Sequence, residues 1–79
     1  MGRMSHTFSL VVNNDPGVLL RVSGVFARRG YNISSLDLNE GETREISKMK
    51  LTAVCTENEA TLLVNQLKKL IDVLQVNRL

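Results

Sequence analysis

The fold is decided by the N-terminal stretch, residues 7–30, which reads TFSLVVNNDPGVLLRVSGVFARRG. Over residues 7–13, large apolar side chains alternate with other side chains, which is the period of a β-strand that buries one face. These alternating residues are Phe8, Leu10 and Val12. The stretch therefore predicts a first strand over residues 7–13.

A helix is predicted to follow directly. Asp15 is a good N-cap, and Pro16 is preorganised for the first helical position. Apolar residues then recur at helical spacing, and Gly30 is placed to end the helix as a C-cap. The recurring residues are Val18, Leu19, Val22, Val25 and Phe26. Gly24 lies within this run, where it costs about 1 kcal/mol relative to alanine, so we expect something to approach the helix closely there.

The remainder of the chain predicts two further strands, a second helix and a last strand. Residues 33–39 and 46–55 are close enough in sequence to form a hairpin. Thr56 and Glu59 have the spacing of a capping box, which predicts the start of the second helix. Residues 73–79 then form the last strand. The apolar positions of the second helix are Ala60, Leu63, Val64, Leu67, Leu70 and Ile71.

The element order βαββαβ predicts an α+β fold, the ferredoxin-like sandwich, in which two helices cover one face of a four-stranded antiparallel sheet. Its first and third strands are central, and its second and fourth strands are edges that invite pairing with a second copy. We expect one domain over residues 1–79, with a loose N-terminus over residues 1–6. The last strand is expected to carry Leu74 and Val76. The uncovered face of the sheet is expected to carry Val11, Ile33, Ile46 and Val73.

Composition narrows the class of protein. The chain has 79 residues, of which 43% are hydrophobic and 23% charged, as in one small globular domain. A domain this small usually needs a disulfide, a metal or a partner chain for stability. Cys55 is the only cysteine and His6 the only histidine, so an internal disulfide is excluded and a metal site is not expected. We therefore expect an oligomer.

Charge and hydropathy argue against nucleic-acid and membrane partners. The net charge is +2, and no run of Lys or Arg exceeds two residues. No apolar stretch approaches the ~18 residues that span a membrane, and residues 1–9 lack the apolar core of a secretory signal. We therefore expect a soluble cytoplasmic protein. No nucleophile has a plausible base, so we expect neither catalysis by this chain nor a cofactor.

The loop Asn14–Gly17 is the most informative stretch for function. The first N–H groups of a helix have no internal partner and favour an anion. Gly17 places no side chain where a ligand would approach, and Asn14 can both donate and accept hydrogen bonds. The alternative interpretation is a well-capped helix start without a ligand.

A second polar residue, Asn32, opens the predicted edge strand. It could meet the helix start of another copy across a dimer seam, so that a ligand there contacts Asn14 and Gly17 of one chain and Asn32 of the other. The alternative is a helix C-cap at Gly30 followed by an ordinary turn asparagine.

Residues 7–38 and 63–76 resemble the ACT domain of acetolactate synthase small (regulatory) subunits. The most specific segments are Asn-x-x-Gly-Val-Leu-x-Arg-Val from Asn14, Phe-x-x-Arg-Gly-Tyr-Asn-Ile-x-Ser-Leu from Phe26 and Gln-Leu-x-Lys-Leu-Ile-Asp-Val from Gln66. The resemblance covers nearly the whole chain. Pro16 departs from it, because many relatives have a small polar residue there, and it should stiffen the loop.

This resemblance implies a regulatory role. Such subunits have no catalysis of their own, bind a thiamine-dependent large subunit, raise its activity and confer feedback inhibition by valine or a related branched-chain amino acid. The effector lies between two ACT domains, so a homodimer is implied. By position, its contacts are Asn14, Asp15, Gly17, Val18 and Leu19 of one chain and Asn32 and Ile33 of the other.

The residues leave several alternatives open. The domain could be a non-sensing interaction module that only activates a partner enzyme, or an ACT sensor from another pathway. An aliphatic socket does not distinguish valine from leucine or isoleucine. Since the chain contains one ACT domain, we expect a short-type subunit or a fragment of a longer one.

Overall fold

A computed structural model describes residues 2–79; Met1 lies outside the described residues. The elements follow one another in the predicted order βαββαβ. They are β1 Met4–Asn13, α1 Val18–Arg28, β2 Ile33–Glu40, β3 Ile46–Cys55, α2 Glu57–Lys68 and β4 Val73–Arg78. The four strands form one antiparallel sheet in the order β2-β3-β1-β4. The ferredoxin-like fold, with β1 and β3 central and β2 and β4 as edges, is therefore confirmed.

The core lies between the sheet and the two helices. Every second residue of β1 and β3 points inward, and α1 and α2 each contribute one apolar stripe. The rings of Phe8 and Phe26 meet edge to face with centroids 5.7 Å apart, which is a favourable geometry for two aromatic rings. The largest fully buried side chains also include Leu10, Val12, Val22, Met49, Leu51, Leu63 and Leu67.

The start of α2 and the end of α1 follow their sequence signals. In the capping box predicted for α2, Thr56 Oγ1 accepts from the Glu59 N–H at 3.1 Å and Glu59 Oε1 accepts from the Thr56 N–H at 2.8 Å. Gly30 has φ +78° just after α1, as a C-terminal glycine requires. Over residues 2–79, no helix is long and apolar enough to cross a membrane.

The first strand begins earlier than predicted. Met4, Ser5 and His6 pair with the end of β3, so the expected loose terminus is wrong for these three residues. The physical reason is that β3 continues to Cys55, and its backbone groups there need hydrogen-bond partners.

A β-bulge in β4 places two side chains on the opposite face of the sheet from the one predicted. Val11 pairs with Gln75 and Val12 with Val73, so Leu74 is an extra residue in the ladder. A one-residue insertion moves a side chain to the opposite face. Leu74 is therefore 55% exposed, contrary to its expected place beside Val76. The side chains that β4 buries are Val73 and Val76.

A second irregularity lies at the start of β2. Ile33 pairs with Ala53 while Ser35 pairs with Thr52, which makes Ser34 the extra residue. Ile33 consequently turns toward the helices and packs against the core.

The uncovered face of the sheet is less apolar than predicted. Ile33 and Val73 were expected there, and both predictions are wrong because the two bulges turn these side chains inward. Val11 and Ile46 do lie on this face, since each alternates with an inward-facing residue along its strand. Most of their neighbours on this face are polar, among them Thr7, Ser9, Lys48, Lys50 and Thr52.

Candidate functional site

The β1–α1 loop is tightly hydrogen-bonded to itself. Asp15 Oδ1 accepts from the Gly17 N–H at 2.9 Å. The Val18 N–H bonds to the Asp15 carbonyl at 3.0 Å, and regular helical bonding begins with Arg21 N–H to the Gly17 carbonyl at 3.0 Å. Pro16 and Gly17 therefore form a turn ahead of the helix, which begins at Val18 with Gly17 as its N-cap and without a side-chain capping bond. The predictions that Asp15 is the N-cap and Pro16 the first helical residue are wrong, because Asp15 closes this turn instead.

This arrangement decides which N–H groups can meet a ligand. The N–H groups of Gly17 and Val18 are already bonded to Asp15. Those of Leu19 and Leu20 have no acceptor within the described chain. The anion-binding capacity expected of the helix start therefore resides in Leu19 and Leu20.

Arg21 organises the loop, although it was not among the predicted site residues. Its Nη2 donates to Asp15 Oδ1 at 2.9 Å and its Nε donates to Asp72 Oδ2 at 2.7 Å. The Gly17 N–H, and secondly Arg21, lower the pKa of Asp15. The two carboxylates, Asp15 foremost, raise the pKa of Arg21. Arg21 lies four residues after Gly17, within one of the segments that carry the resemblance, and this helical spacing is the signal that could have identified it.

Gly17 has a different neighbour from the one expected. A Cβ atom at position 17 would lie 2.5 Å from Arg21 Nη1. The guanidinium, rather than an open ligand space, borders the glycine. Gly24 is similar on a smaller scale, because a Cβ there meets only Arg28 Nη1, at 3.3 Å.

Asn14 joins the loop to the β2–β3 hairpin. Its Nδ2 donates to the Arg44 carbonyl at 3.0 Å, its Oδ1 accepts from Ser47 Oγ at 3.3 Å, and its N–H bonds to the Glu45 carbonyl at 2.8 Å. The side-chain amide has therefore one internal partner at each end. It retains one donor hydrogen and one acceptor lone pair for a ligand.

An open hollow of about 700 Å³ lies beside Asn14. Leu38 and Ile46 supply apolar surface, and Asn39, Glu40 and Arg44 supply polar groups. A pocket lined by both polar and apolar groups suits a small amphiphilic molecule.

The predicted site residues form two groups at opposite ends of the sheet. Asn14 follows β1 at the end where Asn13 pairs with Ile46, whereas Asn32 precedes β2 at the end where Ile33 pairs with Ala53. Ile46 and Ala53 are seven residue steps apart along β3, which is about 23 Å at ~3.3 Å per residue. One chain thus brings Asn14–Leu19 together and leaves Asn32 and Ile33 apart from them.

The apolar residues predicted for the site differ in how much side-chain surface a ligand can contact. Val18 is 4% exposed and belongs to the core, so only its backbone is accessible to a ligand. Leu19 is 38% exposed and can contribute side-chain surface. Ile33 is half-buried against its own core. Within residues 2–79, no group of three His, Cys, Asp or Glu side chains is placed to hold a metal ion.

The fold with this loop defines the class of protein, an ACT domain. The crystal structure of the ACT domain from GTP pyrophosphokinase of Chlorobium tepidum matches with a TM-score of 0.80, over 98% of this chain and 99% of that one. The sequence identity is 23%, so this likeness shows the fold alone.

The particular family is narrower. Residues 8–75 match the family described as AHAS small subunit-like ACT domain, and the chain belongs to that family. It is 47% identical over 75 residues to acetolactate synthase small subunit 1, chloroplastic, of Nicotiana plumbaginifolia, covering 95% of this chain and 17% of that protein. It is 39% identical over 75 residues to the acetolactate synthase small subunit of Mycolicibacterium smegmatis, covering 95% and 44%.

A solved structure agrees with this assignment. The acetolactate synthase small subunit from Thermotoga maritima matches with a TM-score of 0.86 at 35% identity, over 95% of this chain and 47% of that one. The chain thus spans less than half the length of these relatives. The resemblance stated from the sequence is confirmed.

Proposed function

We propose that this domain is the regulatory module of an acetolactate synthase small subunit. It acts as a homodimer, binds a branched-chain amino acid at the seam between two copies, and docks on the catalytic large subunit. Binding of valine or a relative then inhibits the enzyme that the module otherwise activates. The observation that carries this proposal is the placement of Asn14 and Asn32 at opposite ends of the same sheet, beside the free edge strand β2.

The sheet topology supports the proposed dimer. A two-fold axis beside β2 pairs that strand antiparallel with its copy, which satisfies the free backbone groups of both edges. The start of the partner's β2 then lies beside the end of this β2, at Glu40. Glu40 lies at the sheet end that carries Asn14 and the hollow. The partner's Asn32 and the partner's Ile33 thereby face the loop Asn14–Leu19 across the seam.

The loop suits a zwitterion. The open N–H groups of Leu19 and Leu20 can donate to a carboxylate, and the Asp15 carboxylate can accept from an ammonium group. The exposed side chain of Leu19 can pack against the apolar side chain of the bound amino acid. Asn14 and the partner's Asn32 add amide hydrogen bonds, while Gly17 and Val18 shape the backbone.

The energetics suit a metabolite sensor. A hydrogen bond to a charged group contributes ~1.5–3 kcal/mol, and burying a valine side chain contributes ~1.5 kcal/mol or more. Association costs at least ~4 kcal/mol. A few such bonds therefore leave an affinity between micromolar and millimolar. Regulation of the large subunit then needs a coupling of only ~1–3 kcal/mol.

The test is calorimetric titration of the dimer with each of the twenty amino acids. We expect heat from one or more branched-chain amino acids, and inhibition by the same amino acids once the large subunit is added. Asn32→Ala should weaken binding and leave the dimer intact. Absence of both binding and any effect on the large subunit would sink the proposal.

A second function has its own supporting observation. The N–H of Gly17 and the amide of Asn14 already have internal partners, as a rigid module without a ligand requires. Such a module would bind and activate the large subunit while no amino acid produces heat. The same titration therefore separates the two functions.

A further inference from the structure

One side chain ties together two segments that are distant in sequence, the β1–α1 loop and the α2–β4 turn. Arg21 contacts Asp15 through Nη2 and Asp72 through both Nε and Nη2. The Asp72 carbonyl in turn accepts from the Asn13 N–H at 2.8 Å. The loop and the turn are thus held to each other by a side chain and by the backbone.

The two carboxylates that meet Arg21 differ in their environment. Asp72 is 9% exposed, and Arg21 is its ion-pair partner. The Asp15 side chain is 48% exposed. A buried carboxylate keeps its cation, because separating the pair would leave an uncompensated charge. Arg21 is therefore anchored on Asp72, and its contact with Asp15 is the one that solvent and ligands can reach.

The charge of this cluster sets the orientation of a zwitterion. One guanidinium and two carboxylates sum to −1. A further carboxylate is repelled by such a cluster, whereas an ammonium group is attracted to its exposed member, Asp15. The carboxylate of the ligand therefore accepts hydrogen bonds from the N–H groups of Leu19 and Leu20.

We propose that Arg21 is a positioning residue of the effector site. It holds the Asp15 carboxylate at the start of α1, where that carboxylate accepts the ammonium group of the amino acid. Through Asp72 it also couples the binding of an amino acid at the β1–α1 loop to the first residues of β4. This inference rests on the proposed function and adds to it a requirement for a free α-amino group.

The ligand arm of the test uses two substitutions and one control. In Arg21→Gln and Asp72→Asn, valine affinity should fall about tenfold, the loss expected for one charge-assisted hydrogen bond. Arg28→Gln removes a cation from the other end of the same helix, where Arg28 forms no ion pair among the described residues, and it should leave the affinity unchanged. Arg21→Lys should give an intermediate affinity, because one ammonium cannot match the spread of a guanidinium over two carboxylates.

Two further readouts distinguish positioning from general stability. Valine should shift the amide resonances of Val73 and Leu74 in the wild type and not in Arg21→Gln. The α-keto acid analogue of valine, which lacks the ammonium group, should bind at least tenfold more weakly than valine. Equal affinity of Arg21→Gln and wild type for valine, or of valine and its keto acid, would overturn the proposal.

A ligand-free arm keeps the outcome decisive if no branched-chain amino acid binds. That result would refute the amino-acid binding in the proposed function, and the bridge that Arg21 forms between Asp15 and Asp72 is then tested by carboxyl titration followed by NMR. The pKa of Asp15 should rise in Arg21→Gln and stay unchanged in Arg28→Gln. An unchanged pKa of Asp15 in Arg21→Gln would show that Arg21 does not hold the Asp15 carboxylate.

Discussion

The guanidinium of Arg21 packs against the backbone of Gly17, so closely that a Cβ atom at position 17 would lie 2.5 Å from Nη1. Glycine is therefore required at position 17, because the side chain of Arg21, one helical turn further along, occupies the space that a Cβ atom would need. This contact lets Arg21 reach Asp15 across the start of the helix. The β1–α1 loop takes its shape from that contact.

The first prediction compares two glycines of the same region. Gly17→Ala should displace Arg21 and weaken valine binding, with the fold retained, because φ −91° and ψ −4° at this residue suit alanine. Gly24→Ala should raise the free energy of unfolding by about 0.5–1 kcal/mol and leave binding unchanged, since only the end of the exposed Arg28 side chain must move. Chemical denaturation and calorimetry measure both effects. If Gly17→Ala bound valine like the wild type, the contact with Arg21 would have no role in the site.

The fold was predictable because each element has its own local signal. The alternation in residues 7–13, the capping box at Thr56 and the glycine after α1 each depend on a few neighbouring residues. The bulges at Ser34 and Leu74 were not predictable, because the neighbouring strand decides where an extra residue is accommodated. This is why Val73 and Ile33 were assigned to the wrong face.

The candidate site was predictable only in part. The loop Asn14–Gly17 is conspicuous because glycine, proline and a capping residue occur together there. The contact of Arg21 with Asp72 joins residues 51 positions apart, so no local pattern reveals it. The internal bonds of the Asn14 amide likewise depend on the hairpin that folds against the loop.

A second prediction concerns the end of α1. Gly30→Ala should lower the free energy of unfolding by roughly 1–2 kcal/mol, since φ +78° is unfavourable for a residue with a Cβ atom. Gly30→Asn should cost less, because asparagine tolerates this conformation. Urea denaturation of the two variants tests the order. Equal losses would indicate that the backbone conformation is not the cause.

A third prediction assigns the seam of the proposed dimer to one edge of the sheet. Leu38 on β2 is 46% exposed and Leu74 on β4 is 55% exposed, so the same substitution can be compared on the two edges. Leu38→Lys should weaken dimerisation by tenfold or more, because a two-fold axis beside β2 brings both added charges to one seam. Leu74→Lys should leave the dimer intact. Sedimentation measures the dissociation constants, and the reverse pattern would place the seam at β4.

The last prediction follows from the lowered pKa of Glu59. The Thr56 N–H donates to the Glu59 carboxylate in the folded state and lowers its pKa, and the Tyr31 hydroxyl is the second influence that lowers this pKa. A carboxylate whose pKa is lower when folded stabilises the protein above its unfolded pKa of about 4.3, and this contribution is lost as the pH falls through the folded value. Glu59→Gln keeps an oxygen that can accept from Thr56 but removes the charge. Its loss of stability relative to wild type should therefore be present at pH 7 and become smaller as the pH is lowered toward 3.

Two companion variants separate this charge effect from the cap itself. Thr56→Ala removes the other half of the capping box and should cost about 1 kcal/mol at either pH, because a hydroxyl does not titrate. Glu42→Gln removes a carboxylate that has no hydrogen bond among the described residues and should change little. Urea unfolding at the two pH values gives all three differences. A Glu59→Gln loss of the same size at pH 3 and pH 7 would show that the lost stability comes from packing or geometry, because an effect of the ionised carboxylate must diminish as the group becomes protonated.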